Sequence, residues 1–124
     1  MDYLIRNMIN TLSDKVLKLE RVNSDRDYSG GGWYDEVTHA MYLYSDMSFR
    51  YRIESFRSVS GGGLSLPQES KEEYLGTWSV TYENLKTYLI FTFEDNSQQK
   101  YETENLGPGI QKLNSQTWNR YLIQ

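Results

Sequence analysis

Cysteine is absent from the chain, which excludes disulfides, thiol nucleophiles and zinc–thiolate centres. Histidine occurs once, at His39, and no carboxylate stands near it at ligand spacing on its face of the strand, so no metal site is expected. No apolar run approaches the roughly 18 residues that span a membrane, and no membrane association is expected. The N-terminus lacks a Lys/Arg-led apolar run with a small-residue cleavage site, which makes a cytoplasmic location the expectation. Basic charge is scarce, with 13 Lys+Arg against 17 Asp+Glu and a net charge of −4, and this argues against a nucleic-acid partner. The two glycine triplets, Gly30-Gly31-Gly32 and Gly61-Gly62-Gly63, lack the Gly-Lys-Ser/Thr ending of a phosphate loop, and neither lies between a strand and a helix. No cofactor is expected.

What is present is aromatic and alternating. Eleven Tyr raise the aromatic share to 15%, and Tyr favours strands, half-buried faces and the walls of binding sites. The 124 residues suffice for a single domain with one core. Trp78, Val80 and Tyr82 alternate with polar positions, and Leu89, Phe91 and Phe93 alternate with Tyr88, Ile90 and Thr92, the period of strands with one face on a core. Asp95-Asn96 is a hairpin turn, since both residues tolerate a left-handed backbone.

Asp2 to Leu12 reads as a short helix with Leu4, Ile5, Met8, Ile9 and Leu12 on one stripe. Such a helix must dock on something, either the barrel or a second copy of the chain. Strands are expected over Lys15–Asn23, where a helix continuing to Val22 is the rival because Val16 and Leu19 extend the stripe, and over Trp33–Tyr44, Phe49–Phe56, Gly76–Glu83, Thr87–Glu94, Ser97–Glu104, Ile110–Leu113 and Thr117–Ile123. Ser58 to Glu73, with its glycine triplet, Pro67 and charged run, reads as the longest irregular stretch. The expected fold is all-β: residues 15–124 form an antiparallel meander of about eight strands that removes its edges by closing into a barrel, preceded by the helix at residues 1–13. In a meander alternate connections share an end. The loops bearing Gly30, Gly31 and Gly32, followed by Trp33, and Gly61, Gly62 and Gly63 therefore frame one adaptable mouth.

Gly76-Thr77-Trp78 is the Gly-x-Trp pattern of lipocalins, avidins and their calycin relatives, with Arg120 on the last strand as the late arginine. The order Gly30-Gly31-Gly32, Ser45-Asp46-Met47, Phe49-Arg50-Tyr51, Gly61-Gly62-Gly63, Gly76-Thr77-Trp78, Asp95-Asn96-Ser97 and Leu113-Asn114 with Trp118-Asn119-Arg120 resembles small bacterial, often cyanobacterial, lipocalin-like proteins. It covers residues 15 to 122. Met47 and Asn96 stand where that pattern has turn glycines. Met does not favour positive φ, so the first turn is expected to differ in type. The resemblance implies a calycin-like barrel and, by analogy, a stack of Arg120 on Trp78.

Candidate ligand-binding residues are His39, Tyr51, Trp78, Tyr82, Phe91, Phe93, Tyr101 and Arg120. On this reading a small, largely apolar ligand lies inside the barrel, and Arg120 or His39 orients it. Two alternatives stay open: a filled barrel that serves as a protein-interaction or homo-oligomerisation module through Leu4, Ile5, Met8, Ile9 and Leu12, and a small barrel cyclase or isomerase using His39 and tyrosines. No catalytic group is assigned from the sequence.

Overall fold

The computed structural model describes residues 2–26, 32–61 and 64–123. Gly30, Gly31, Gly62 and Gly63, and the side chain of Trp33, lie outside the described residues. A helix, α1 (Asp2–Leu12), leads into β1 (Lys15–Arg26), β2 (Gly32–Leu43), β3 (Ser48–Gly61), β4 (Leu64–Glu83), β5 (Lys86–Phe93), β6 (Gln98–Gly107), β7 (Ile110–Leu113) and β8 (Gln116–Leu122). Each strand pairs antiparallel with the next, and β8 returns to β1, so the eight strands form a closed barrel.

The closure is confined to the base. β1 meets β8 only over Lys15 to Lys18, and β4 meets β5 only from Gly76 onward. Above those levels β1 to β4 continue as a tall four-stranded sheet whose two outer edges have no strand partner among the described residues. The stretch from Ser58 to Glu73, expected to be irregular, is instead the upper end of β3 and most of the rise of β4. Its charges and its proline suit an exposed edge strand, where Glu and Lys discourage pairing with other chains and Pro is tolerated. The described ends of β3 and β4 pair up to Gly61 and Leu64, so residues 64–73 are not part of a long loop.

Two polar turns brace the barrel with the same chemistry. At Asp46-Met47-Ser48 the Asp46 carboxylate accepts from the Ser48 amide (2.9 Å) and hydroxyl, and Tyr44 and Ser48 close the hairpin (3.0 Å). Asp95-Asn96-Ser97 repeats each bond, with Phe93 and Ser97 closing at 2.9 Å. Met47 (φ 70°) and Asn96 (φ 69°) adopt one conformation, so the expected difference in turn type does not occur. Met47 is held there because its side chain packs on the core and its carbonyl accepts from the Trp78 amide at 2.9 Å.

The core fills the base. Leu17, Met41, Leu43, Phe49, Trp78, Val80, Leu89, Phe91, Leu113 and Trp118 meet inside it, joined by Leu12 from the helix. Ile5, Met8 and Ile9 pack against the same cluster, so four of the five apolar stripe residues serve the barrel and only Leu4 faces outward. An eleven-residue helix is marginal alone, and this docking supplies its stability. Its end is tied to the barrel as well: the Ser13 amide and hydroxyl donate to the Ile9 carbonyl (2.8 and 2.6 Å), and the Asp14 carboxylate accepts from the Ser45 amide (3.1 Å).

Candidate functional site

The site follows from the point where β4 leaves β5. Gly76 is the last β4 residue paired to β5, opposite Phe93, and also sits opposite Phe49 of β3. A Cβ at Gly76 would overlap the Thr92 carbonyl oxygen and press the Phe49 ring at 2.7 Å. Only glycine lets the two backbones approach this closely. Above it the strands diverge, and a cavity of about 600 Å3 opens between the tall sheet and the β5–β6 turn.

The register decides what lines this space. Successive rows across the inner face of the tall sheet read Leu43–Phe49–Gly76, Leu17–Met41–Tyr51–Tyr74 and Leu19–His39–Ile53–Glu72. Tyr51, Ile53 and Tyr74 form the wall on that side, and Phe93, Gln99 and Tyr101 form the wall on β5 and β6. Glu73, Leu75, Glu94, Asp95 and Ser97 complete the rim. The rings meet edge to face: Tyr51 and Tyr74 at 6.3 Å and 72°, Tyr74 and Phe93 at 6.1 Å and 83°, Phe91 and Tyr101 at 5.8 Å and 73°. Such pairs hold one another in place and leave a rigid aromatic wall.

The hydroxyls are anchored. Tyr101 donates to the Gln99 side-chain oxygen, and Tyr74 donates to Glu72 at 3.0 Å. The Tyr51 hydroxyl bonds Nδ1 of His39 at 2.8 Å. Burial, with lesser contributions from Tyr101 and Tyr74, pushes the Tyr51 phenol up to about 12. Burial also holds His39 below its ordinary value, aided by the Arg21 charge on the same face of β1. His39 stands behind Tyr51, edge-on to Trp118 at 6.1 Å, and is not itself part of the cavity lining.

Of the residues singled out from sequence, Tyr51, Phe93 and Tyr101 line the cavity, with His39 one hydrogen bond away. Trp78 and Phe91 lie beneath it in the sealed base, 2% and 1% exposed. The half-buried Tyr82 lies lower on β4 and lines no part of the cavity. Arg120 and Trp78 have separate partners in place of the expected stack. The guanidinium donates to Gln111 at 2.7 Å, Asn105 at 3.3 Å and the Gly107 carbonyl at 3.4 Å. The Trp78 indole N–H donates to the Tyr44 carbonyl at 2.9 Å. Gln111 is fully buried and links Arg120 to Thr103, which makes this cluster a satisfied polar floor.

Sequence reasoning missed Tyr74, Ile53 and Gln99. The signal for Tyr74 was there: Glu72, Tyr74, Gly76 and Trp78 continue one alternation upstream of the Gly-x-Trp motif, through residues whose charge had marked them as loop. Among the described residues no group of three or more acidic or histidine side chains is placed to hold a metal, and no helix is long and apolar enough to cross a membrane. Comparison with family models, curated proteins and solved structures finds no match for the chain.

Proposed function

We propose that this protein is a non-catalytic binding module that holds a small, largely apolar ligand at the barrel mouth. The observation that carries the reading is the 600 Å3 cavity walled by Tyr51, Tyr74, Phe93 and Tyr101. Its volume falls in the range of small-molecule sites, and its mixture of ring surface with a few fixed polar groups is what such sites require. The location differs from a ligand on the barrel axis, because the base is filled by its own side chains. Affinity arises from ring surface withdrawn from water: burying about 200 Å2 of apolar ligand area contributes on the order of 5 kcal/mol before the costs of association. Orientation falls to the Tyr51 and Tyr101 hydroxyls and the Gln99 amide. The oligomerisation alternative loses most of its anchors, since Ile5, Met8, Ile9 and Leu12 face the barrel. The lipocalin-like resemblance supports the carrier reading through the Gly76-Thr77-Trp78 motif and the barrel architecture.

The test is a fluorescence titration with a neutral, environment-sensitive apolar dye. The native chain is expected to bind saturably and Ile53→Trp, which fills the cavity, to lose that binding. Equal dye uptake by both proteins, or none by either, contradicts the reading.

A further inference from the structure

The cavity has a charge as well as a shape. Three acidic residues border it, Glu73, Glu94 and Asp95, and no Lys or Arg does. Glu73 is held by Arg50 of β3 at 2.9 Å, an exposed pair that faces the outer side of the sheet. Asp95 is fixed by the Ser97 amide and hydroxyl, which hold its carboxyl below the usual range and keep it ionised. Among the described residues Glu94 has no ion pair. A fourth carboxylate, Glu72, sits on the inner face of β4 and accepts from Tyr74. The cations on that inner face stand higher up the sheet, Arg57 of β3 opposite Gln68 and Arg21 of β1 opposite Val37, and neither lines the cavity.

The walls carry charge preference of the same sign. An aromatic ring presents a negative face, and a cation placed over it is attracted, more so as water is excluded. Two outer tyrosines already show the arrangement within this protein: Lys100 lies 4.4 Å from the Tyr88 ring centre and Lys18 lies 5.6 Å from that of Tyr121. At the mouth, Tyr51, Tyr74 and Phe93 stand nearly perpendicular to their neighbours and so form a box rather than a stack. A box surrounds a rounded cationic group from several sides, whereas a stack admits only a flat ring.

We propose that the mouth cavity selects organic cations: a quaternary or protonated amine seated among Tyr51, Tyr74 and Phe93, with its apolar body toward Tyr101 and the carboxylate rim of Glu94 and Asp95 above it. This rests on the binding-module reading and adds the ligand class to it. An anionic ligand, such as a fatty acid, meets the rim's repulsion and finds no guanidinium or ammonium in the lining. The contribution of the rim is exposed and falls with salt, while that of the box persists. The two are therefore separable.

The experiment is calorimetric titration of the full chain with three molecules sharing one body: naphthyl-trimethylammonium, naphthylmethanol and naphthalene sulfonate. The ammonium is expected to bind about tenfold more tightly than the alcohol, and the sulfonate more weakly than both. Tyr74→Leu should weaken the ammonium more than the alcohol, so that the ammonium loses its advantage over the alcohol. The double variant Glu94→Gln, Asp95→Asn should remove the salt dependence of the ammonium and keep part of its advantage. Alcohol binding equal to or tighter than ammonium, or a sulfonate that binds as well as either, overturns the cation assignment and leaves the binding module standing. Failure of all three to bind, with the variants and the native chain equally folded by circular dichroism, overturns the binding reading and the cation assignment with it.

Discussion

Nδ1 of His39 and the hydroxyl of Tyr51 lie 2.8 Å apart, joining the two middle strands of the tall sheet directly behind the cavity wall. The bond gives the Tyr51 ring a fixed position, and it requires the imidazole to remain neutral or to act only as a donor. Because burial lowers the histidine's folded value below its ordinary 6.5, the unfolded chain takes up this proton more readily than the folded one. The stabilising contribution is complete above about pH 6.5 and is lost as pH falls through the lower folded value. Urea midpoints measured from pH 8 to pH 5 should decline toward acid in the native chain, and His39→Gln should flatten that decline. An unchanged slope in the variant would assign the pH dependence elsewhere.

Gly76 marks the root of the fork. Gly76→Ala places a methyl group against the Thr92 carbonyl and the Phe49 ring, contacts that cannot relax without parting β4 from β5. A loss of about 3 kcal/mol of unfolding free energy is expected, at the upper end of overpacking effects. A cost under about 1 kcal/mol in denaturant titration would mean the strands part more freely than their close approach implies.

Leu85 offers the opposite case. Asn84 and Leu85 form the two-residue turn between β4 and β5 with φ of 51° and 66°, and Leu85 is 84% exposed. A branched side chain there carries left-handed strain without gaining burial, and Asn-Gly is the favoured pair for such turns. Leu85→Gly should therefore stabilise the protein by roughly 0.5–1 kcal/mol, read as a rise in Tm of about 3 °C. A lower Tm would show that the leucine makes a contribution its exposure does not reveal.

Gln111 anchors the polar floor. It donates to Thr103 and accepts from Arg120 at zero exposure. Gln111→Ala removes both bonds and leaves buried polar groups unpaired, so a loss of about 3 kcal/mol is expected. Ligand binding at the mouth should change little in the folded fraction, because neither Gln111 nor its partners Thr103 and Arg120 line the cavity. Equal damage to binding and stability would tie the two regions together.

Much of this architecture could be read from residue order. The alternation of Leu89, Phe91 and Phe93, the Asp-x-Ser turns and the stripe of Ile5, Met8, Ile9 and Leu12 are local patterns, and each became the element its period implies. The tall sheet was less legible because Gln68 to Glu73 is polar on both faces. A strand with a free edge and an open inner face has no apolar half to betray it. That omission hid Tyr74 and therefore the cavity. Met47 misled in another way: its side chain predicts a different turn, yet core packing and the Trp78 amide hold the backbone at positive φ. Family analogy points Arg120 toward Trp78, whereas Gln111 of β7 and Asn105 of β6 hold its guanidinium.

The claim on which the account turns is that a small apolar molecule binds at the fork between β4 and β5. Backbone amide NMR shifts followed during titration with naphthylmethanol test it most directly. Saturable changes should concentrate at Tyr51, Ile53, Tyr74, Phe93, Gln99 and Tyr101, with α1 and the Gln111 floor unmoved. Changes centred on α1 or the floor, or none up to the solubility limit of the ligand, would contradict it.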